Sequence, residues 1–75
     1  MRKKVDTSFL IVFGKNLKTI RESRNITQAQ LAIDCDFDVS VISRIERGVV
    51  NTSLSNLKLI STALAIDLKE LFDFE

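Results

Sequence analysis

Apolar residues recur along this 75-residue chain at spacings of three and four. Phe9, Phe13, Leu17 and Ile20 follow that period, with Lys15, Asn16, Lys18 and Thr19 between them. The spacing gathers the apolar side chains on one face of a helix from about Ser8 to Arg24. Ser8 or Thr7 offers an N-cap oxygen, and Asn25 suits the left-handed residue that follows a helix. Leu10, Ile11 and Val12 widen the apolar surface beyond one stripe. Either the C-terminal helix or a second subunit must cover it.

Two shorter amphipathic segments follow, each behind a capping residue. Thr27 caps a second helix over about 28–35, with Gln30 placed for a capping box and Ile26 and Leu31 for a hydrophobic staple. Leu31, Ala32 and Cys35 form its inward face. After the break Asp36-Phe37-Asp38, in which Asp36 must turn left-handed and Phe37 points inward, Asp38 caps a third helix over about 39–47. Its apolar positions are Val41 or Ile42, then Ile45, and Gly48 ends it. Two short helices across a three-residue turn have the layout of a helix-turn-helix.

Val49 to Thr52 read as a loop and Ser53 as the next cap. Leu54, Leu57, Ile60, Ser61 and Leu64 form the buried stripe of a fourth helix, with Leu59 off it. Asp67 caps a last short helix, Leu68 to Phe72, which buries Leu68, Leu71 and Phe72. Phe74 has no obvious partner within the domain. The expected fold is all-α: a basic flexible arm over residues 1–7, then a single five-helix domain over 8–75.

Composition narrows what holds this domain together. Cys35 is the single cysteine and histidine is absent, which excludes an intrachain disulfide and a Cys/His zinc site. Helix packing and dimerisation remain, and Cys35 reads as a small buried hydrophobe. The absence of proline, with only Gly14 and Gly48 as glycines, favours helices over a many-turned β fold.

Net charge is only +1, but it is unevenly spread. Arg2, Lys3, Lys4, Lys15, Lys18, Arg21 and Arg24 crowd the first third against Asp6 and Glu22, and the remainder is acidic. The basic start and the short apolar run Phe9–Phe13 fall short of a signal peptide. No stretch approaches membrane-spanning length. A cytoplasmic protein is expected. Without histidine, a base beside a nucleophile or a glycine-rich phosphate loop, no enzymatic role, cofactor or metal is expected.

Three runs carry a resemblance: Ile20-Arg21-Glu22-Ser23-Arg24-Asn25-Ile26-Thr27-Gln28, then Leu31-Ala32, then Ile42-Ser43-Arg44-Ile45-Glu46-Arg47-Gly48, followed by Leu64 and Leu71-Phe72. They resemble the phage-repressor and Cro-like (Xre) helix-turn-helix family over about residues 13–72. The resemblance implies a compact five-helix, lambda-repressor-like DNA-binding domain whose third helix reads bases. By position it implies Val39, Ser40, Ser43 and Arg44 as base readers, with Arg44 able to grip O6 and N7 of a guanine. It implies Gln28, Arg47 and Asn51 at DNA phosphates, and a structural ion pair between Arg21 and Glu46. The sequence departs from the family pattern at Asn25, Asp36 and Ala65, frequent glycine positions. Asp38 stands where Ser or Thr is commoner, and Val39 and Val49 where polar residues are common.

The implied function is a sequence-specific transcriptional regulator, a repressor or controller protein, bound as a homodimer to a roughly palindromic site on double-stranded DNA. One reading helix sees too few base pairs to be specific alone. With no effector domain in view, it would block a promoter or touch RNA polymerase. Leu59 and Phe74 are candidate dimer-interface residues, alongside Leu10, Ile11 and Val12. The alternative is an antitoxin-type module whose main partner is a toxin or other protein, suggested by the Asp34-Asp36-Asp38 cluster and the apolar, acidic C-terminal part.

Overall fold

In the computed structural model, which describes residues 5–74, the first helix opens on Asp6 and not on Ser8 or Thr7. The Asp6 carboxylate accepts the Phe9 backbone N–H at 3.0 Å and the Ser8 hydroxyl at 2.9 Å. These bonds, the backbone one foremost, hold its pKa below the ordinary aspartate value. A carboxylate suits this place because it also meets the positive end of the helix dipole. Thr7 is therefore helical, and the expected arm is shortened by Asp6 and Thr7; Arg2, Lys3 and Lys4 lie outside the described residues.

The chain then runs α1 (Thr7–Ser23), α2 (Gln28–Cys35), α3 (Val39–Arg47), α4 (Leu54–Ala63) and a 3₁₀ helix (Leu68–Phe72). Four α-helices thus stand where five helices were expected. The fifth segment forms in the expected place, but a run of five residues winds as the tighter 3₁₀ turn. It is closed at its start by the Asp67 N–H donating to Glu70 Oε2 at 2.8 Å.

All four α-helices end in the same way. Asn25, Asp36, Gly48 and Ala65 each take a left-handed conformation, with φ of 58°, 60°, 73° and 58°. The next residue donates its N–H back to a carbonyl of the last turn: Ile26 to Arg21, Phe37 to Ala32, Val49 to Arg44, Ile66 to Ser61. This Schellman geometry satisfies carbonyls that a helix end would otherwise leave bare. Ile26, Phe37 and Ile66 pack against the core after their turns, whereas Val49 is exposed.

The caps differ from expectation in detail. Thr27 Oγ1 accepts the Gln30 N–H at 3.0 Å, but the Gln30 side chain turns along its own helix to Asp34 at 2.9 Å. Only half of the expected capping box is made. Asp38 has an extended N-cap backbone, but its side chain makes no capping bond to α3. Ser53 caps α4 through the Asn56 N–H at 3.1 Å.

The core gathers Phe13 and Leu17 of α1, Leu31, Ala32 and Cys35 of α2, Ile42 and Ile45 of α3, and Leu57, Ile60 and Leu64 from α4 and its end. Leu71 of the 3₁₀ helix closes it. Of the α3 alternatives, Ile42 is fully buried and Val41 is half-buried. Leu54 departs from the expected stripe and is 68% exposed. As the first residue of α4 it lies beyond the edge of the core, which begins at Leu57. Burial raises the Cys35 thiol pKa above its ordinary value.

The C-terminal segment folds back over the start of α1. Phe74, expected to be without a partner, sets its ring tilted against Phe9 at 5.7 Å and edge-on to Phe13 at 6.5 Å, and Phe72 lies 5.2 Å from Phe13. Phe72 is a rim residue, still 39% exposed. The Asn16 amide fastens this segment by donating to the carbonyls of Glu70 and Leu71, at 3.2 and 2.8 Å. Part of the surplus apolar surface of α1 is thereby covered from within the chain. Ile11 and Val12 remain exposed.

Candidate nucleic-acid interface

The position of α3 is set by what lies beneath it. Ile42 and Ile45 anchor it in the core. Gly14 of α1 lets it come closer than a side chain would permit: a Cβ at that position would lie 2.5 Å from the Ile45 carbonyl oxygen and collide with that of Glu46. A second close approach is at Gly48, where a Cβ would lie 2.6 Å from Ile11 Cα. The packing of α3 on α1 therefore runs through two glycines.

Glu46, on the last turn of α3, is the polar counterpart of this packing. Its side chain is 3% exposed, and that of Arg21 is 8% exposed. Arg21 grips the carboxylate through two donors on one edge of its guanidinium, Nε to Oε2 at 2.6 Å and Nη2 to Oε1 at 3.0 Å. Its remaining Nη1 donates to the Ile26 carbonyl at 2.7 Å. The bond to Glu46 raises the Arg21 pKa further, so the guanidinium stays charged at any physiological pH. The expected ion pair between the first and third helices is present, and it also ties in the junction before α2.

Gln28 adds a connection that the sequence did not reveal. Its Nε2 donates to Glu46 Oε1 at 2.9 Å. The side chain is thus not simply free at the start of α2, as a phosphate contact alone would require. A glutamine one residue after a cap gives no sign of a partner far along the chain. Gly14 did leave a sign: glycine inside a helix costs about 1 kcal/mol relative to alanine, which hints at a close approach.

The outward side of α3 carries the expected reading residues. Val39, Ser40 and Arg44 are exposed and Ser43 is half-buried. Arg47 is exposed at the helix end and Asn51 is exposed in the loop that follows. Together Val39, Ser40, Ser43 and Arg44 place a guanidinium fork, two hydroxyls and one apolar branch on one short helix, groups able to hydrogen-bond or pack against the edges of bases. At the start of α2, Thr27 uses its hydroxyl and carbonyl to take the N–H groups of Gln30 and Leu31. Leu59 is 48% exposed on α4, and Lys15 and Lys18 are exposed on α1.

A cleft of about 240 Å³ opens between the start of α1 and the α3–α4 loop, walled by Phe9, Phe13, Ile45, Leu57 and Phe72, with Asn51 among its polar lining. None of the residues expected on the reading face of α3 lines it. Among the described residues, no helix is long and apolar enough to cross a membrane.

Comparison with known proteins agrees with this geometry. Residues 17–71 match the helix-turn-helix family model HTH_3. Control protein C.BamHI of Bacillus amyloliquefaciens is 45% identical over 65 residues, spanning 85% of this chain and 80% of its own. Control protein C.MunI of a Mycoplasma species is 44% identical over 63 residues, spanning 83% and 85%. The crystal structure of the restriction-modification controller protein C.AhdI from Aeromonas hydrophila superposes with a TM-score of 0.85 at 37% identity, covering 87% of this chain and 98% of that one.

Proposed function

Because the chain belongs to the helix-turn-helix family HTH_3, we propose that it is a sequence-specific DNA-binding transcriptional regulator of the controller type. The observation that carries this reading is the exposed face of α3, with Val39, Ser40 and Arg44 outward above a helix fixed from below by Arg21 and Glu46. Such a face enters a major groove with its polar groups free to meet base edges. Arg44 takes a guanine, Ser40 and Ser43 meet neighbouring bases, and Val39 meets a thymine methyl. Arg47, Asn51 and the start of α2 at Gln28 lie against phosphates and set the register.

The regulator acts in the cytoplasm as a homodimer on a roughly palindromic site, its two reading helices about one turn of duplex apart, near 34 Å. Leu59 supplies exposed apolar surface for the interface. Phe74 contributes what its contacts with Phe9 and Phe13 leave free. The relatives are control proteins, which favours this reading over an antitoxin that grips a toxin.

Selection of binding sites from random DNA, followed by gel shifts over a range of salt, tests the proposal. Arg44→Ala is expected to relax preference at one base pair of each half-site, and Arg47→Ala to weaken binding to all sequences alike and flatten the salt dependence. A wild-type protein that enriches no sequence would overturn it.

A further inference from the structure

Glu46 gathers three donor groups from two other helices. Its Oε2 accepts Arg21 Nε from α1, while its Oε1 accepts both Arg21 Nη2 and Gln28 Nε2, the latter from the first turn of α2. The Gln28 amide can face a carboxylate only through its N–H₂ side, since its oxygen would set two acceptors against each other. One amide hydrogen is therefore committed to Glu46. The other remains for a group outside the protein. Gln28 is half-buried, so its side chain has few other places to go.

We infer that Gln28 is a positioning residue, which couples the phosphate-facing start of α2 to the placement of the reading helix through Glu46. The inference rests on the DNA-binding reading and deepens it. A phosphate contact acting alone changes affinity equally for every sequence, because the phosphate carries no sequence information. A contact that also holds the far end of α3 behaves differently. When its bond to Glu46 is lost, the angle at which Arg44 meets its base shifts, and discrimination falls together with affinity. Arg21 does not substitute for Gln28 here, because it fixes Glu46 to α1 and the α1–α2 junction and not to the first turn of α2.

The test is a binding cycle on the selected DNA site and on variants of it altered at the Arg44-dependent base pair. Gln28→Met keeps the length of the side chain and removes its donors; Gln28→Lys returns a donor that reaches Glu46. Thermal melts establish that each variant is folded. The expected result is that Gln28→Met reduces discrimination at that base pair several-fold and that Gln28→Lys restores most of it. Arg44→Ala is expected to cost at least about threefold less in the Gln28→Met background than in the wild type, the non-additivity of coupled residues. Equal loss on all site variants, with the two substitutions additive within about twofold, would overturn the inference and leave the DNA-binding reading intact. Failure of the wild-type protein to bind any selected DNA would overturn both.

Discussion

Gly14 of α1 lies directly beneath the Glu46 backbone of α3, with no room between them for a methyl group. The atoms in the way are backbone carbonyl oxygens of a helix that Arg21 also holds through a bond of 2.6 Å. Neither can swing aside as the tip of a flexible side chain would. Gly14→Ala is therefore expected to destabilise the fold, although alanine is the better helix former by about 1 kcal/mol. Overpacking costs typically about 1–3 kcal/mol, and here it acts on backbone, so a net loss near 2 kcal/mol is expected in urea unfolding. A higher urea midpoint than wild type would show that α3 moves freely on α1.

Arg21 and Glu46 are buried together, and breaking such a pair differs from replacing it. Arg21→Ala leaves the Glu46 carboxylate buried with Gln28 as its remaining side-chain donor. A loss of about 3–5 kcal/mol is expected. The double replacement Arg21→Met with Glu46→Leu removes both charges, and its stability is expected within about 2 kcal/mol of wild type. Chemical denaturation of the three proteins checks this. Equal losses for the single and double variants would mean that the charge left behind is not the source of the cost.

Ala65 ends α4 in a left-handed conformation at φ 58°. The Cβ of an L-residue costs about 1–2 kcal/mol in that region. Glycine avoids this but loses roughly 0.4–1 kcal/mol through a freer unfolded chain. Ala65→Gly is accordingly expected to raise stability by about 0.5–1 kcal/mol. Asn25→Gly, at the end of α1, should gain less, because asparagine tolerates the conformation. The comparison of unfolding midpoints decides it, and a destabilised Ala65→Gly variant would contradict this account.

Cys35 has its thiol pKa raised by burial foremost and by Asp34 in addition. The folded protein thus holds its proton more tightly than the unfolded chain does. Stability from this source is fully present below the ordinary thiol pKa of 9.0 and declines as pH rises above it. Cys35→Ala should flatten that alkaline decline. A disulfide reagent at neutral pH should label the native thiol far more slowly than the denatured one. Equal rates in the two states would show that Cys35 is accessible.

Most of the helical layout was legible because each element carries both a period and a punctuation mark. Thr27, Ser53 and Gly48 stand where the periodic apolar residues begin or stop, and the structure uses all three as ends. Asp6 was missed because Thr7 and Ser8 offer the same chemistry one and two residues later, and only the bond to Phe9 chooses among them. The Arg21–Glu46 pair was accessible through the family resemblance. Gln28 as its third member was not, since it depends on the angle at which α2 meets α3. The placement of Phe74 escaped for a similar reason: its partners Phe9 and Phe13 lie at the opposite end of the sequence.

The helix that carries Arg44 is fastened unevenly along its length. Glu46, Gly48 and the approach to Gly14 secure its C-terminal end, whereas Asp38 at its N-terminal end makes no capping bond and Val39 and Ser40 stand clear of the core. Mechanically this is a lever with its pivot at Glu46 and its free end directed outward. Small changes at the pivot are magnified toward the tip, while substitutions at Val39 and Ser40 leave the pivot untouched. Sequence preference in such a domain can be retuned at the tip without renegotiating the fold.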